Sequence, residues 1–437
     1  MPLFRLIAIG CIILLPMSFS LAQQPAPANY DEAKVPKFEL TNPLKTTDGR
    51  TVDTPKLWNE VRRPELLKLF EEQMFGKAPL PLKNYSQIAL GMTMAFGYDK
   101  DGTVFNGKGK RWQVRMTFNK GGERDKEDNP TIHVLLYTPN NVTEKTPVFI
   151  GLNFQGNHTV AADPGIRLGT VWKNGKPEPA KEEDRGSMAS RWQIEKLLDR
   201  GYAVATAYYQ DIEPDFDGGS KFGIRRLLDQ KGEADEGNAI ATWAWGLGQV
   251  HQVALSSVFN IDPKKIAVIG HSRLGKTALW AGATNPEFAL VISNDSGCGG
   301  AALSRREFGE TVHRINTSFP HWFNGNFKKY NHDVNALPFD QHELIALIAP
   351  RPVYIASAVE DQWADPKGEF LSGLYADPVY KLLGTDGIAG ATEMPEVNKP
   401  VGGTIGYHVR TGVHDVTEYD WEQFLNFADK HFKPTSR

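Results

Sequence analysis

Ile266-Ala267-Val268-Ile269-Gly270-His271-Ser272-Arg273-Leu274-Gly275-Lys276-Thr277-Ala278 is the stretch on which the reading of this chain turns. Its apolar, β-branched opening reads as a buried strand, and the residues after Ser272 read as the start of a helix. A strand that turns sharply into a helix puts its central serine on a strained tip, with the hydroxyl above the sheet. Gly270 relieves crowding two residues earlier. The amide of Arg273 then lies at a helix N-terminus, placed to bind an oxyanion. The common form of this turn has glycine two residues after the serine; here that place is Leu274, and Gly275 follows it.

The same residues support a rival reading. Gly270 to Thr277 matches a phosphate loop, with two glycines ahead of Lys276 and Thr277. Ala289 to Asp295 would then be a second nucleotide-site strand ending in an acid for magnesium. Three wider features oppose it: an export leader, the late position of the motif, and downstream acids and a histidine that suit a serine hydrolase.

On either side of this stretch, apolar segments alternate with helical ones. Strands are expected at Trp112 to Phe118, Thr131 to Tyr137, Pro147 to Leu152, Gly201 to Ala207, Lys265 to Ile269, Ala289 to Ser293, Val353 to Ser357 and Thr404 to Val409. Helices are expected at Ser187 to Arg200 with Ser187 as the cap, at Gly237 to Val258, and at Glu418 to Phe432. This alternation predicts a mostly parallel sheet covered on both faces, the three-layer α/β-hydrolase sandwich. Upstream, Leu66, Leu67, Leu69, Phe70 and Met74 recur at helical spacing between Pro64 and Gly76, which predicts a helix packed on the main domain. The expected division is a leader over 1–22, an N-terminal extension over 23–100 and a catalytic domain over 101–437.

The leader reading rests on Arg5, the apolar run Leu6 to Leu15, and the small-residue stretch ending Ser20-Leu21-Ala22, with cleavage after Ala22. It predicts a secreted or periplasmic protein with no membrane attachment after cleavage. Cys11 leaves with the leader, so Cys298 stands alone and no internal disulfide can form. The 437 residues carry 49 basic and 52 acidic side chains, a net charge of -3, with 41% hydrophobic and 23% charged residues. Such a balance gives no sign of a nucleic-acid face. A monomer is expected.

A serine nucleophile needs a base, and the base an orienting acid, in the chain order serine, acid, histidine. His414 follows Gly412 in a turn before the last helix and is the expected base; His408, inside a strand-like run, reads as a packing residue. Asp295 and Asp361 each follow a predicted strand, and either can reach the shared histidine. Glu360 and Asp365 are weaker candidates. His342-Glu343 lacks the second histidine of a zinc helix, so no metal is expected. No dinucleotide fingerprint is present either.

The stretch Gly270-His271-Ser272-Arg273-Leu274-Gly275-Lys276 resembles the serine-arginine elbow of the glucuronoyl esterases, carbohydrate esterase family 15. Asp295-Ser296-Gly297-Cys298-Gly299-Gly300, Leu337 to His342, Ile348-Ala349-Pro350-Arg351 and Trp243-Ala244-Trp245-Gly246 resemble further blocks of that family. Together the likeness spans roughly residues 145 to 435. It implies a cofactor-free serine esterase acting on esters between 4-O-methyl-glucuronic acid of glucuronoxylan and lignin alcohols. The other reading within the class is an acetyl-xylan or other carbohydrate esterase; outside it stands a non-catalytic glycan-binding relative. The resemblance also implies Ser272 as nucleophile, His414 as base and Arg273 at the oxyanion, with Lys276, Glu310 and Trp363 holding the sugar. Fungal members carry glutamate at the place of Asp295 and contain disulfides. The chain is closer to bacterial members, and the orienting acid stays divided between Asp295 and Asp361, with reach favouring Asp361.

Overall fold

The computed structural model describes residues 27–79, 90–97, 102–120, 128–140, 142–228 and 230–432. The expected leader over 1–22 lies outside them. Thirteen strands are formed there: β1 (Leu90–Gly97), β2 (Thr103–Val104), β3 (Gly109–Lys120), β4 (Thr131–Pro139), β5 (Thr146–Asn153), β6 (Thr170–Lys173), β7 (Lys176–Pro179), β8 (Ala203–Tyr208), β9 (Ile261–His271), β10 (Leu290–Asn294), β11 (Val353–Ala358), β12 (Val401–Gly402) and β13 (Ile405–Arg410). All but β6 and β7, which form a separate hairpin, join one sheet in the order β1-β3-β4-β8-β5-β9-β10-β11-β13-β12, with β2 beside β3. From β8 to β13 every pairing is parallel; β1, β3 and β4 at one edge and β12 at the other are antiparallel. The expected mostly parallel, doubly covered sheet is therefore the centre of the molecule.

The parallel strands read as unbroken apolar runs because both faces are covered. On β9, Ile266 and Val268 join one apolar layer, while Ala267 and Ile269 join the other. On β11, Val353 and Ile355 separate from Tyr354 and Ala356 in the same way. Helices Ala239–Ala254 and Arg273–Thr284 contribute to the first layer; helices Ile194–Asp199 and Glu418–Phe432 contribute to the second.

Two expectations need correction. The single helix over Ser187 to Arg200 is two short ones, Ala189–Trp192 and Ile194–Asp199, split by Gln193 at φ 44°, and Ser187 does not cap it. Trp192 and Ile194 both enter the second apolar layer. Residues two apart on one helix face nearly opposite ways, so the left-handed Gln193 is what lets both turn inward. The helix expected from Pro64 begins earlier, and helical backbone runs from Pro55 to Phe75, leaving at Gly76 with φ 75°. It packs on the sheet's helical layer: the ring of Phe75 stacks 4.4 Å from Trp280, and Phe70 lies 3.9 Å from Phe339. Arg62 adds a buried ion pair to Glu343 at 2.8 Å. Cys298 is a buried free thiol.

Candidate active site

β9 ends at His271 and the next helix begins at Arg273, so Ser272 alone forms the turn. Its backbone sits at φ 57° and ψ -129°, a conformation that L-residues avoid and that surrounding packing must hold. That packing is specific. A Cβ on Gly270 would lie 1.8 Å from the Leu274 carbonyl oxygen, and one on Gly275 would lie 3.0 Å from Cβ of Ser296. Gly275 thus lets the helix approach the segment after β10, while Leu274 is buried in the core. The departure from the common spacing is explained by this close approach. The phosphate-loop reading fails on the same geometry. A one-residue turn leaves no loop to wrap a phosphate; Thr277 is fully buried and donates to the Arg273 carbonyl at 2.9 Å.

Asp295 follows β10, Asp361 follows β11 and His414 follows β13, so neighbouring parallel strands deliver all three to the edge that carries Ser272. Ser272, Arg273, Lys276, Asp295, Glu310, Asp361, Trp363 and His414 line one open cavity of about 270 Å³, with Phe319 and Trp322 opposite. Nδ1 of His414 lies 2.6 Å from Oδ2 of Asp361. With its proton on Nδ1, the ring donates to that carboxylate and leaves Nε2 to accept. The two acids that sequence left open are in different states. Asp295 is 1% exposed and neither of its oxygens has a hydrogen-bond partner; the Arg410 guanidinium is 3.5 Å away. Burial, and then the charges of Glu369 and Asp361, push its carboxyl well above the usual range. Asp295, Asp361 and His414 offer ligand-type atoms within 4.8 Å of one another, but the shortest separation is the 2.6 Å hydrogen bond.

The other candidates separate as well. His408 is fully buried between Asp420, at 2.9 Å, and the Tyr354 hydroxyl, at 3.0 Å. Asp365 pairs with Arg306 at 2.8 Å and caps helix Pro366–Leu382 through Gly368. Glu360 does not line the cavity. Lys276 is buried, donates to the Ser296 carbonyl at 2.6 Å and lies 3.9 Å from Glu310. Burial lowers the Lys276 ammonium against the opposing Glu310 charge, and raises the Glu310 carboxyl against Lys276. Trp363 is half-exposed at the rim, its ring under the Arg314 guanidinium at 5.6 Å.

Several residues of the site carried no sequence signal. Asp215 is the chief one. Its carboxylate pairs with Arg273 and accepts from Tyr209 Oη (2.9 Å), His321 Nε2 (2.8 Å) and Trp322 Nε1 (2.7 Å). Burial would raise its pKa, but the His321 hydrogen bond, the Arg273 charge and the Trp322 N–H together hold it at about 2. Trp322 also stacks under Arg273, 4.9 Å from the guanidinium. Arg273 is thereby locked, and its Nε–H remains buried without a partner among the described residues. Glu369 is the second. Its Oε1 accepts from Ser296 N, Ser296 Oγ and Gly297 N at 2.8 to 3.0 Å, and its Oε2 from Ser357 Oγ at 2.6 Å. Burial pushes this carboxyl up to about 7 in spite of those donors. It ties the segment bearing Asp295 to the helix beneath it.

This combination of a doubly covered parallel sheet and a serine elbow facing a histidine defines the chain as an α/β-hydrolase of the carboxylic ester hydrolase class. Residues 189–384 match the family model described as glucuronyl esterase, fungi. The chain is 49% identical to carbohydrate esterase MZ0003, from an unknown prokaryotic organism, over 93% of each chain. A glucuronoyl esterase structure from Solibacter usitatus superposes with a TM-score of 0.84 at 45% identity, covering 92% of this chain and 100% of that one. The 4-O-methyl-glucuronoyl methylesterase 1 of Wolfiporia cocos is 34% identical over 42% of this chain and 47% of its own. The chain belongs to the glucuronoyl esterases, carbohydrate esterase family 15.

Proposed function

We propose that this chain hydrolyses esters joining 4-O-methyl-glucuronic acid of glucuronoxylan to lignin alcohols, through an acyl-enzyme on Ser272. The observation that carries the mechanism is the 2.6 Å contact between His414 Nδ1 and Asp361 over the cavity that Ser272 enters. His414 Nε2 takes the proton of the Ser272 hydroxyl as the oxygen attacks the uronate carbonyl. Asp361 holds the ring in the accepting tautomer and steadies the imidazolium. The Arg273 amide, at the start of its helix, and its unpartnered Nε–H stabilise the oxyanion; Asp215 and Trp322 fix that guanidinium before substrate arrives. The protonated imidazole gives its proton to the departing alcohol. Water then releases the glucuronoyl group by the same route reversed. Lys276 and Glu310 meet sugar hydroxyls, and Trp363 covers a sugar face. No cofactor enters any step.

Asp295, buried and without a hydrogen-bond partner, is a packing acid in this scheme and Asp361 the orienting one. The leader over 1–22 exports the chain, which then acts as a secreted or periplasmic enzyme. Among the described residues no helix is long and apolar enough to cross a membrane. The test is turnover of benzyl glucuronate beside acetylated xylan by the native chain and by Ser272→Ala, Asp361→Asn and Asp295→Asn. Hydrolysis of the uronate ester alone, lost in Ser272→Ala and cut far more by Asp361→Asn than by Asp295→Asn, is expected. Deacetylation of xylan without uronate-ester cleavage would replace the substrate reading. Full activity of Ser272→Ala would end the mechanism.

A further inference from the structure

A second cavity, of about 320 Å³, lies on the same sheet edge as Ser272 but away from it. It sits among β3, β4, the end of β8 and the turn after β5, and Gly169 to Val171 at the start of the β6–β7 hairpin form part of its wall. In the sheet, β9, β5, β8 and β4 are successive neighbours, so His133 on β4 lies three strands, about 14 Å, from the Ser272 turn. Its size is that of a small-molecule site.

Three features of its lining ask for a ligand. Arg115 and Arg167 line it, and neither has a carboxylate at ion-pair distance among the described residues; the one hydrogen bond of the Arg167 guanidinium is 3.3 Å to His133 Nε2. The single acid of the wall, Asp211, is already held by His133 through its backbone N–H at 3.2 Å and Nδ1 at 3.1 Å. His158 also lines the cavity, is 2% exposed, and has Nε2 buried with no hydrogen-bond partner. A buried ring nitrogen left unsatisfied costs about 1–3 kcal/mol unless something else bonds it. Guanidinium groups without an acid suit a carboxylate. Val171 and Tyr208 add an apolar and aromatic wall, which suits the C–H face of a sugar.

The geometry points to a second, non-catalytic subsite for a sugar carboxylate: Arg115 and Arg167 hold the carboxylate of a free uronate, and His158 Nε2 bonds one of its ring hydroxyls. The link to catalysis rests on the function proposed above, since the polysaccharide there bears repeated glucuronate side groups and both cavities open on one sheet edge. The binding site itself does not depend on that reading. Tyr208, in the wall of this cavity, is the chain neighbour of Tyr209, whose hydroxyl donates to the Asp215 that fixes Arg273.

The experiment is isothermal titration of the full chain with D-glucuronate, with a xylo-oligosaccharide carrying one free glucuronate, and with xylotriose and glucose as neutral controls. The comparison protein is the Arg115→Ala/Arg167→Ala double variant, both sites being exposed, with Thr170→Trp as an independent way to fill the cavity. Two glucuronate binding events are expected in the native chain. One of them weakens at least tenfold in each variant, while benzyl glucuronate turnover stays within twofold. Tighter binding of the oligosaccharide than of the free acid at that event identifies the polymer as the source; equal binding identifies the free acid. Retention of both events in both variants, or glucose binding as well as glucuronate, would overturn the site. If the chain cleaves no uronate ester at all, the proposed function fails while the titrations still decide this one.

Discussion

Gly270→Ala is the sharpest single perturbation of the elbow, because the structure sets its size. The added methyl would meet the Leu274 carbonyl oxygen at 1.8 Å, where real contacts essentially never fall below 3.0 Å. The obstacle is backbone, and it belongs to the first turn of the helix that presents Ser272 and Arg273. The turn must therefore open by more than about 1 Å. A displacement of that size at reacting groups costs about a hundredfold in rate, or about 2.7 kcal/mol of transition-state stabilisation. Overpacking adds about 1–3 kcal/mol of lost fold stability. We expect kcat for benzyl glucuronate to fall about a hundredfold with KM changed less than threefold, because of the sugar contacts only Lys276 rides on this helix, while Glu310 and Trp363 lie on other segments. Calorimetric melting of the same samples separates misplacement from unfolding. A folded Gly270→Ala enzyme with native kcat would refute the claim that this contact sets the position of Ser272.

Three further outcomes follow from the site. Asp215→Asn removes the carboxylate that fixes Arg273; the guanidinium is partly solvated, so the stability loss is about 1–3 kcal/mol. The activity loss is about a hundredfold or more, read as kcat beside Tm. Glu369, held up to about 7 against an ordinary 4.5, favours the folded state only while protonated. The unfolded chain ionises it first as pH rises, so its stabilising share is full below about 4.5, is lost by about 7 and then stays flat, a change of about 3 kcal/mol. Glu369→Gln should flatten the stability profile across that window in denaturant titrations at stepped pH; an unchanged slope would exclude Glu369 as its source. Trp363→Ala should raise KM about tenfold with kcat within threefold, the mark of lost sugar contact; a fall in kcat alone would contradict that role.

How much of this was legible in the sequence depends on range. The central strands were readable because both faces are covered, so Ile266 to Ile269 and Val353 to Ala356 show as unbroken apolar runs. Asp361 and His414 were readable because parallel strands deliver their C-terminal turns to one edge. Sequence favoured Asp361 over Asp295 only by reach, since both follow a strand; what separates them is that Asp361 meets His414 at 2.6 Å, whereas Asp295 is buried with no hydrogen-bond partner. Asp215 was invisible for another reason. It sits in Pro214-Asp215-Phe216, with no periodicity or motif, and Arg273 and Trp322, two of its partners, lie 58 and 107 residues away. Glu369, inside an ordinary helical segment, reads as a surface acid until the fold buries it. The break at Gln193 has no glycine or proline to announce it; two core side chains competing for one layer impose it.

The proposed mechanism requires that Ser272 become acylated. Rapid acid quench of the enzyme with a glucuronate aryl ester, followed by peptide mass spectrometry, tests this directly. A glucuronoyl adduct is expected on the peptide carrying Ser272, formed within the first turnover and absent in Ser272→Ala, whose steady-state rate falls at least a thousandfold. An adduct on another residue, or unimpaired turnover by Ser272→Ala, would contradict it.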